Sequence, residues 1–396
     1  MRAAMTIGAV WCAGRAAVLT GVLDPRFATG LVASDIRVYA NWWFTSLSHG
    51  VLPAHDHGWQ YPPGAAAPMA LAGLLSGQSL LGYLWAFVAL VLAVDLVTLV
   101  LLLRQPMRAG AWYWALVPPL LGTLWLTRVD VLVTALAVAA VLRYRHPLAA
   151  GLLIGAGALV KVWPVFLLGM FRRGQRARYA TLGAAAVVLQ VLTWVGLVVP
   201  GTLGFLANQR DRGLEVEAVA ATPFLLQRLT GGGPELVMRY GSWELVGPRV
   251  DVVLLLLLLV TVAGAFFLVV WWWRWSEHLA APCDLALTVV LAVMVTSKVL
   301  SPQYLIWAVG LAAACLAHPR SRQRPVALLI VVCCGLTHLE FPLLWDDLHD
   351  RGVAVTVILV LRNLLLVAAA VWSAILLRTG GRQRQHPASA TSAARS

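Results

Sequence analysis

The sequence predicts an all-α protein that crosses a membrane many times. Hydrophobic residues make up 60% of the chain and charged residues only 12%, with a mean hydropathy of +0.81, which excludes an ordinary soluble domain. Apolar stretches recur from end to end, as helices that cross a bilayer require. We therefore predict about twelve transmembrane helices in a single domain over residues 1–380. A disordered cytoplasmic tail is expected over residues 381–396.

Each predicted helix is an apolar stretch that begins or ends at a proline or a charged cluster. Arg104, Pro106 and Arg108 close the second stretch, for example, and Arg128 and Asp130 divide the third from the fourth. Several stretches are short, as happens where a bilayer thins or a cavity opens. In order, the predicted spans are Ile7–Leu23, Leu80–Leu103, Ala111–Leu126, Val131–Leu142, Leu148–Val160, Val162–Phe171, Thr181–Val199, Val252–Trp273, Leu285–Val299, Leu305–Leu316, Val326–Leu339 and Val353–Leu377.

The distribution of charge predicts the orientation of the chain. The net charge of +13 comes from short Arg clusters between apolar stretches, which indicates membrane topology rather than a nucleic-acid partner. If the N-terminus is cytoplasmic, every Arg cluster falls on the cytoplasmic side, and so does the C-terminus. Two long polar loops, about residues 24–79 and 200–250, then lie outside. We expect interfacial helices in the first of them, including Ala66–Gly77.

On this topology the unusual polar residues share the external ends of the helices. Ionisable groups at membrane depth are costly unless they are paired or face a wet cavity, so they are candidates for function. The alternative for each is an interface residue that reaches the lipid headgroups. The set comprises Asp35, Arg128, Asp130, Lys161, Lys298, Gln303, Tyr304 and His338, and it includes the only two lysines of the chain.

One carboxylate among several cations suits group transfer from a phosphate. Cations stabilise the charge that builds on a phosphate leaving group, and a carboxylate can remove the proton of an attacking hydroxyl. Asp35 is our candidate for this base, with Tyr39 and Tyr61 as secondary site candidates. Glu215 and Glu217 are rival bases, although acids in such a long charged loop are expected to be solvated.

Several motifs resemble one family of enzymes when they are taken together and in order. The motifs are Ser34-Asp-Ile-Arg-Val-Tyr39, Gln60-Tyr-Pro-Pro63, Arg128-Val-Asp130, Gly151-(x)9-Lys161-Val-Trp-Pro164, Arg212-Gly-Leu-Glu-Val-Glu217 and Lys298-Val-Leu-Ser-Pro-Gln-Tyr304. Over residues 30–345 the chain resembles the GT-C glycosyltransferases. It is most similar to the polyprenol-phosphate-mannose-dependent mannosyltransferases of glycosyltransferase family 87, which are common in actinobacteria.

The resemblance implies a hexosyltransferase in the cell membrane with its active site on the extracytoplasmic face. The sugar, mannose first of all, would pass with inversion from a polyprenyl-phosphate donor to a hydroxyl of a cell-envelope glycolipid or glycan. Asp35 would be the base that activates this hydroxyl. Lys298, Gln303 and Tyr304 would bind the donor phosphate, supported by Arg128, Lys161 and His338. Membrane lipids are the other expected partners, and nucleic acid is not one.

Two alternatives remain open at this level. About twelve spans around a wet cavity also suit a transporter or a flippase for lipid-linked sugars, which predicts internal repeats and a site at the midplane. The other alternative is a non-catalytic partner in an assembly.

We expect no metal and no cofactor. The alternation His55-Asp56-His57 is more typical of a solvated loop than of a metal site, and the 5 cysteines show no metal-ligand spacing.

Overall fold

The computed structural model describes residues 2–24, 30–53, 56, 58–199, 202–276 and 281–382, and these residues are predominantly helical. The predicted disordered tail falls almost entirely outside them. In chain order the helices are α1 (Arg2–Leu23), α2 (Ser34–Thr45), α3 (Ala66–Leu75), α4 (Leu80–Leu103), α5 (Ala109–Leu116), α6 (Asp130–Leu142), α7 (Pro147–Val160), α8 (Gln175–Val198), α9 (Gly204–Arg210), α10 (Thr222–Leu229), α11 (Pro248–Trp275), α12 (Pro282–Thr296), α13 (Leu305–Leu316), α14 (Arg324–His338), α15 (Trp345–His349) and α16 (Val353–Arg382).

In the described part of the chain, six helices are long and apolar enough to cross a bilayer, namely α1, α4, α8, α11, α14 with the turn that follows it, and α16. α8 and α11 expose much of their apolar surface, as helices that face lipid do. By contrast, α6, α7, α12 and α13 have only 13, 14, 15 and 12 residues and lie mostly buried. The chain is therefore a mostly helical membrane protein. The total of about twelve spans and the cytoplasmic placement of both termini stay predictions.

Two predicted spans are not continuous α-helices. In the first, Ala111–Leu126, α5 is followed by 3₁₀ turns at Pro118–Leu121 and Leu124–Thr127. The second, Val162–Phe171, contains a single 3₁₀ segment, Trp163–Met170. Prolines at or near the start of these segments explain the interruptions, because proline cannot donate a backbone hydrogen bond and its ring clashes with the preceding turn. The backbone is extended at Arg128 and at Lys161, so both cations lie at helix breaks.

The second long loop contains the main departure from an all-α fold. Its strands are β1 (Leu214–Glu215), β2 (Glu235–Arg239) and β3 (Ser242–Val246), which form an antiparallel sheet in the order β1-β3-β2. Tyr240 and Gly241 join β2 to β3, and both have positive φ, of 51° and 76°. A two-residue turn with this backbone twist is the common connection of a β-hairpin. The loop is thus a folded cap rather than a solvated connection.

A buried ion pair links α1 to α4. Asp95, in the middle of α4, is completely buried, and its two carboxylate oxygens accept hydrogen bonds from Arg15 Nε and Nη2 at 2.8 Å each. The guanidinium also donates to the backbone carbonyls of Trp114 and Ala115 at the end of α5. Asp95 thereby acquires the partner that its position in an apolar helix requires. One guanidinium holds three helices together.

We predict that Asp95→Asn destabilises the protein. The substitution leaves Arg15 as a buried charge without a counter-ion, which costs about 3–5 kcal/mol and lowers the melting temperature by about 5 °C. Thermal unfolding of the purified protein in detergent measures the change. The double variant Arg15→Met with Asp95→Leu is the control and recovers most of the loss, because it removes both charges. A single variant as stable as the wild type would contradict the role of the pair.

Candidate active site

Asp35 lies in the first turn of α2 and faces the break that precedes α6. Its carboxylate Oδ2 is 2.5 Å from Arg128 Nε, and the Asp35 side chain keeps 29% of its surface exposed while that of Arg128 keeps 4%. Arg128 Nη1 donates to the Val32 carbonyl and to the Thr127 hydroxyl, at 2.9 Å each. The buried guanidinium therefore holds a carboxylate that is ordered but still accessible. This combination is what a general base needs.

Two tyrosines extend the site beside Asp35. The hydroxyls of Tyr39, on α2, and Tyr61, in the first long loop, are 2.9 Å apart. Burial and then the charge of Asp35 raise the pKa of Tyr61, while the charge of Lys161 opposes this effect. Tyr61 therefore lies within electrostatic reach of both Asp35 and Lys161. Through its hydrogen bond to Tyr39, both tyrosines are neighbours of the predicted base.

The remainder of the first loop is anchored by Asp56. Its carboxylate accepts hydrogen bonds from Trp42 Nε1 and from the Gly58 backbone, at 2.7 Å each. The two histidines that flank it in the sequence, His55 and His57, lie outside the described residues. Asp56 thus has a structural role, which fixes the loop against the aromatic residues of α2.

A second ion pair surrounds Lys161. Lys161 Nζ is 2.7 Å from Asp130 Oδ1, and the same oxygen accepts a hydrogen bond from Trp307 Nε1 at 2.7 Å. The ammonium also lies 4.1 Å from the centre of the Tyr304 ring and 4.9 Å from that of Trp307. Cation–π contact with two stacked rings stabilises a partly buried ammonium. The structure thus brings together Asp130, Lys161 and Tyr304, which are far apart in the sequence.

Lys298 holds the second loop in place. Its ammonium donates to the backbone carbonyls of Arg210 at 2.9 Å and Arg212 at 2.6 Å, which uses two of its three N–H groups. Burial and then the positive charge of Arg212 lower the pKa of Lys298. This lysine therefore contributes to the loop structure in addition to the phosphate binding that the sequence suggests.

Arg212 is a site neighbour that sequence reasoning did not assign. Its guanidinium bridges the first and second long loops, donating to Gln60 Oε1 at 2.8 Å and to Glu244 Oε1 at 3.1 Å, and to the Ser242 hydroxyl. Its position in Arg212-Gly-Leu-Glu215 was the only available signal. Because Arg212 is nearly buried, it orders the two loops against each other rather than offering a free cation.

The rival bases Glu215 and Glu217 are not solvated, contrary to our expectation. Glu215 is 2% exposed and Glu217 3% exposed. Glu215 accepts hydrogen bonds from the Leu300 backbone N–H at 2.7 Å and from the Ser301 hydroxyl at 3.0 Å. The folding of the second loop into a sheet explains the burial, since Glu215 lies in β1, which pairs side by side with β3. Glu215 therefore fixes the backbone of the Lys298–Tyr304 segment.

The last two donor-site candidates lie at other breaks. Gln303 is in the 3₁₀ turn Pro302–Tyr304 and is 8% exposed. His338 ends α14 and packs against Gly122, where an added Cβ would come within 2.3 Å of its ring. Gly122 also has a φ of 61°, so both its space and its backbone favour glycine. The buried His338 Nδ1 has no hydrogen-bond partner among the described residues.

One cluster of possible metal ligands lies away from this site. Among the described residues, Cys283, Asp284 and Cys315 are the group whose ligand atoms fall within 4.8 Å of one another. The Asp284 carboxylate already accepts a hydrogen bond from the Ser321 hydroxyl at 2.6 Å, which explains its burial between α12 and the turn after α13. The spacing in the sequence did not reveal this contact, because the two cysteines are on different helices.

The geometry combines an accessible carboxylate with ordered cations and aromatic rings. Residues 59–302 match the model of glycosyltransferase family 87, which is more than half of the chain. The chain belongs to glycosyltransferase family 87. It is therefore a membrane glycosyltransferase, and the family favours sugar transfer over the transporter alternative. The matched region includes Arg128, Lys161 and Lys298, whereas Asp35, Gln303, Tyr304 and His338 lie outside it. No protein with a curated description and no solved structure matches the chain.

We predict that Glu215→Gln loosens the Lys298–Tyr304 segment. The amide replaces one acceptor oxygen with a donor, so either the Leu300 N–H or the Ser301 hydroxyl loses its acceptor. Hydrogen exchange of peptides covering residues 298–304 measures the effect, with faster exchange expected at Leu300. Glu235→Gln, at an exposed position of β2, is the matched control and leaves the exchange unchanged. Equal exchange in both variants contradicts the role given to Glu215.

Proposed function

We propose that this family 87 enzyme transfers a hexose, mannose first of all, from a polyprenyl-phosphate donor to a hydroxyl of a cell-envelope glycolipid or glycan. The observation that carries the proposal is the Asp35 carboxylate, which Arg128 orders while 29% of the Asp35 side chain stays exposed. A carboxylate held in this way can accept a proton without first having to be oriented. Asp35 is the general base in the proposed reaction.

The reaction is a single displacement with inversion. Asp35 takes the proton of the acceptor hydroxyl while the hydroxyl oxygen attacks the anomeric carbon. The bond between this carbon and the phosphate oxygen breaks, and polyprenyl phosphate leaves with the electron pair. The products are the glycosylated acceptor, polyprenyl phosphate and a proton on Asp35. Arg128 holds the carboxylate of the base in position for this attack.

The donor side of the proposal rests on the groups at the helix breaks. Arg128 and Lys161 are paired with Asp35 and Asp130, so they order the site and contribute only part of their charge to a phosphate. Lys298 keeps one N–H beyond the two that hold the loop. Together with the unpartnered His338 Nδ1 and with Gln303 and Tyr304, it is proposed to bind the phosphate.

A lipid-linked donor suits the architecture better than a nucleotide sugar. The sheet in the described part of the chain is small and antiparallel, unlike the parallel βα layers that bind nucleotides. Long apolar helices offer a surface along which a polyprenyl chain can lie. The positive-inside rule, applied to the Arg clusters, supports an extracytoplasmic face for the two long loops and for the proposed site.

The direct test uses purified protein, a panel of polyprenyl-phosphate sugars and cell-envelope lipids, with mass analysis of the products. The proposal expects an acceptor heavier by one hexose and an equal amount of free polyprenyl phosphate. A pentose product would correct the sugar. Movement of the lipid-linked sugar across a vesicle bilayer with no covalent product would support the flippase alternative instead.

We predict that Asp35→Asn lowers the rate of transfer by about 10²–10⁴-fold, because the amide cannot accept the hydroxyl proton. Turnover with saturating donor and acceptor measures the loss, and the melting temperature checks that Arg128 still holds α2. Asp346→Asn, at an exposed acid of α15, is the matched control and keeps the full rate. Wild-type turnover in Asp35→Asn would contradict the assignment of Asp35 as the base.

We also predict that Lys298→Ala raises the KM for the polyprenyl-phosphate donor more than it lowers kcat. The lysine is proposed to bind the phosphate in both the ground state and the transition state, and such uniform binding appears in KM. A donor titration at saturating acceptor measures the two constants. Arg210→Ala removes an exposed cation from the same loop and leaves the donor KM unchanged. A lower kcat with the wild-type KM contradicts this role.

A further inference from the structure

A second group of buried charges lies beneath the second long loop, apart from the proposed base. Glu217 belongs to this loop, Glu340 to the kinked turn Leu339–Leu343 that follows α14, and Arg362 to the first half of α16. Glu217 is 3% exposed, and Glu340 and Arg362 are completely buried. We call these three residues the buried triad.

Hydrogen bonds attach the loop to α16 at the same place. Arg362 Nη2 donates to the Glu217 backbone carbonyl at 3.0 Å. The next residue, Asn363, donates to the Thr222 hydroxyl at 3.0 Å and to the Ala218 carbonyl at 3.4 Å. The start of α10 and the residues before it are therefore fixed on α16, and the buried acids lie at the centre of this junction.

The two acids of the buried triad must share one proton. Their carboxyl groups lie within hydrogen-bonding reach of each other. If both were ionised, neither oxygen of Glu340 would have a hydrogen-bond donor among the described residues. Two adjacent buried carboxylates cannot both carry charge, whereas one proton between them makes the contact a hydrogen bond. With Arg362 positive and one carboxylate negative, the group is neutral.

The surroundings decide which acid keeps the proton. Three charged groups act on Glu217, namely Glu340 from the kinked turn, Glu215 from its own loop and Arg362 from α16. Burial and then the negative charges of Glu340 and Glu215 raise the pKa of Glu217, with Arg362 opposing them. For Glu340 the positive charge of Arg362 is the first of the charged neighbours. We therefore assign the proton to Glu217 and the negative charge to Glu340.

We propose that the buried triad, with its proton on Glu217, is a positioning device that fixes the second long loop and, through Glu215, the donor-binding segment Lys298–Tyr304. Glu215 lies two residues before Glu217 and accepts the Leu300 N–H and the Ser301 hydroxyl. A shift of the loop therefore moves the proposed phosphate site, whereas Asp35 has its own anchor on Arg128. The effect of such a shift on donor binding rests on the proposed function, whereas the protonation of Glu217 does not.

A matched pair of isosteric variants tests where the proton is. Glu217→Gln keeps an N–H donor for Glu340 and preserves the charge balance, so its melting temperature at pH 7 equals that of the wild type. Glu340→Gln leaves Arg362 without a counter-ion and lowers the melting temperature by about 5 °C. The reverse order, or equal stability of the two variants, overturns the assignment. If Glu340→Gln does not fold, the double variant Glu340→Gln with Arg362→Met must fold, because it is neutral again.

The pH dependence of stability supplies a second readout. A folded state that needs the proton on Glu217 is stable at low pH and loses stability as the pH rises through the raised pKa. Wild-type melting temperatures therefore fall toward alkaline pH, and Glu217→Gln, which has no such proton to lose, shows a smaller fall. Identical alkaline profiles overturn the proposal.

Kinetics then separate the buried triad from the base. Glu340→Gln is expected to raise the donor KM severalfold with a smaller change in kcat, and the double variant with Arg362→Met restores the KM. Loss of kcat alone overturns the positioning role. If the wild type transfers no sugar, the proposed function fails, while the melting measurements still decide the protonation of the triad.

Discussion

The ion pair between Asp35 and Arg128 joins the first long loop to the helix bundle, and the geometry of the proposed base depends on it. Arg128 is almost completely buried, where an unpaired guanidinium would be costly. The Arg128 guanidinium pairs with the carboxylate of Asp35 and donates hydrogen bonds to oxygens of Val32 and Thr127. The same bonds that neutralise the cation thereby fix the start of α2. Stability of the helix break and orientation of the base have one cause.

The helix breaks explain why the polar residues of an apolar chain meet. Arg128 and Lys161 both lie where the backbone is extended beside a 3₁₀ segment. Ser297 and Ser301, on either side of Lys298, have extended backbones as well. A side chain at such a break can project along the axis of the bundle, whereas one on a continuous helix faces a neighbouring helix or lipid. Pro164 and Pro302, which follow Lys161 and Lys298 closely in the sequence, prevent a continuous helix at these two breaks.

The sequence suggested the residues of the proposed site but not the contacts between them. Motif order and the cost of charge in an apolar chain were enough to select Asp35, Arg128 and Lys161. Their partners were not readable, because Trp307 and Asp130 are 177 residues apart in sequence and no local pattern joins them. The same limit hid the pairing of Asp95 with Arg15, which lie on separate helices.

The prediction for the second long loop failed for a different reason. Its high charge suggested solvated acids, but charge in a sequence does not show whether a partner is near. The β2–β3 hairpin and Arg212 bring Glu215 and Glu244 inside, where they accept backbone and side-chain donors. Gly241, between two short runs that each contain Val and Leu, was a local signal of this sheet.

The base and the proposed donor segment have separate anchors on the two sides of Tyr304. On one side the Tyr304 ring receives the ammonium of Lys161, whose partner Asp130 starts α6. On the other side the charges of Glu215 and Arg212 also reach Tyr304. Arg128 holds Asp35, whereas Glu215 holds the backbone of the donor segment. Because Arg212 also joins the second loop to the first, proton abstraction and phosphate binding have distinct anchors within one connected pair of loops.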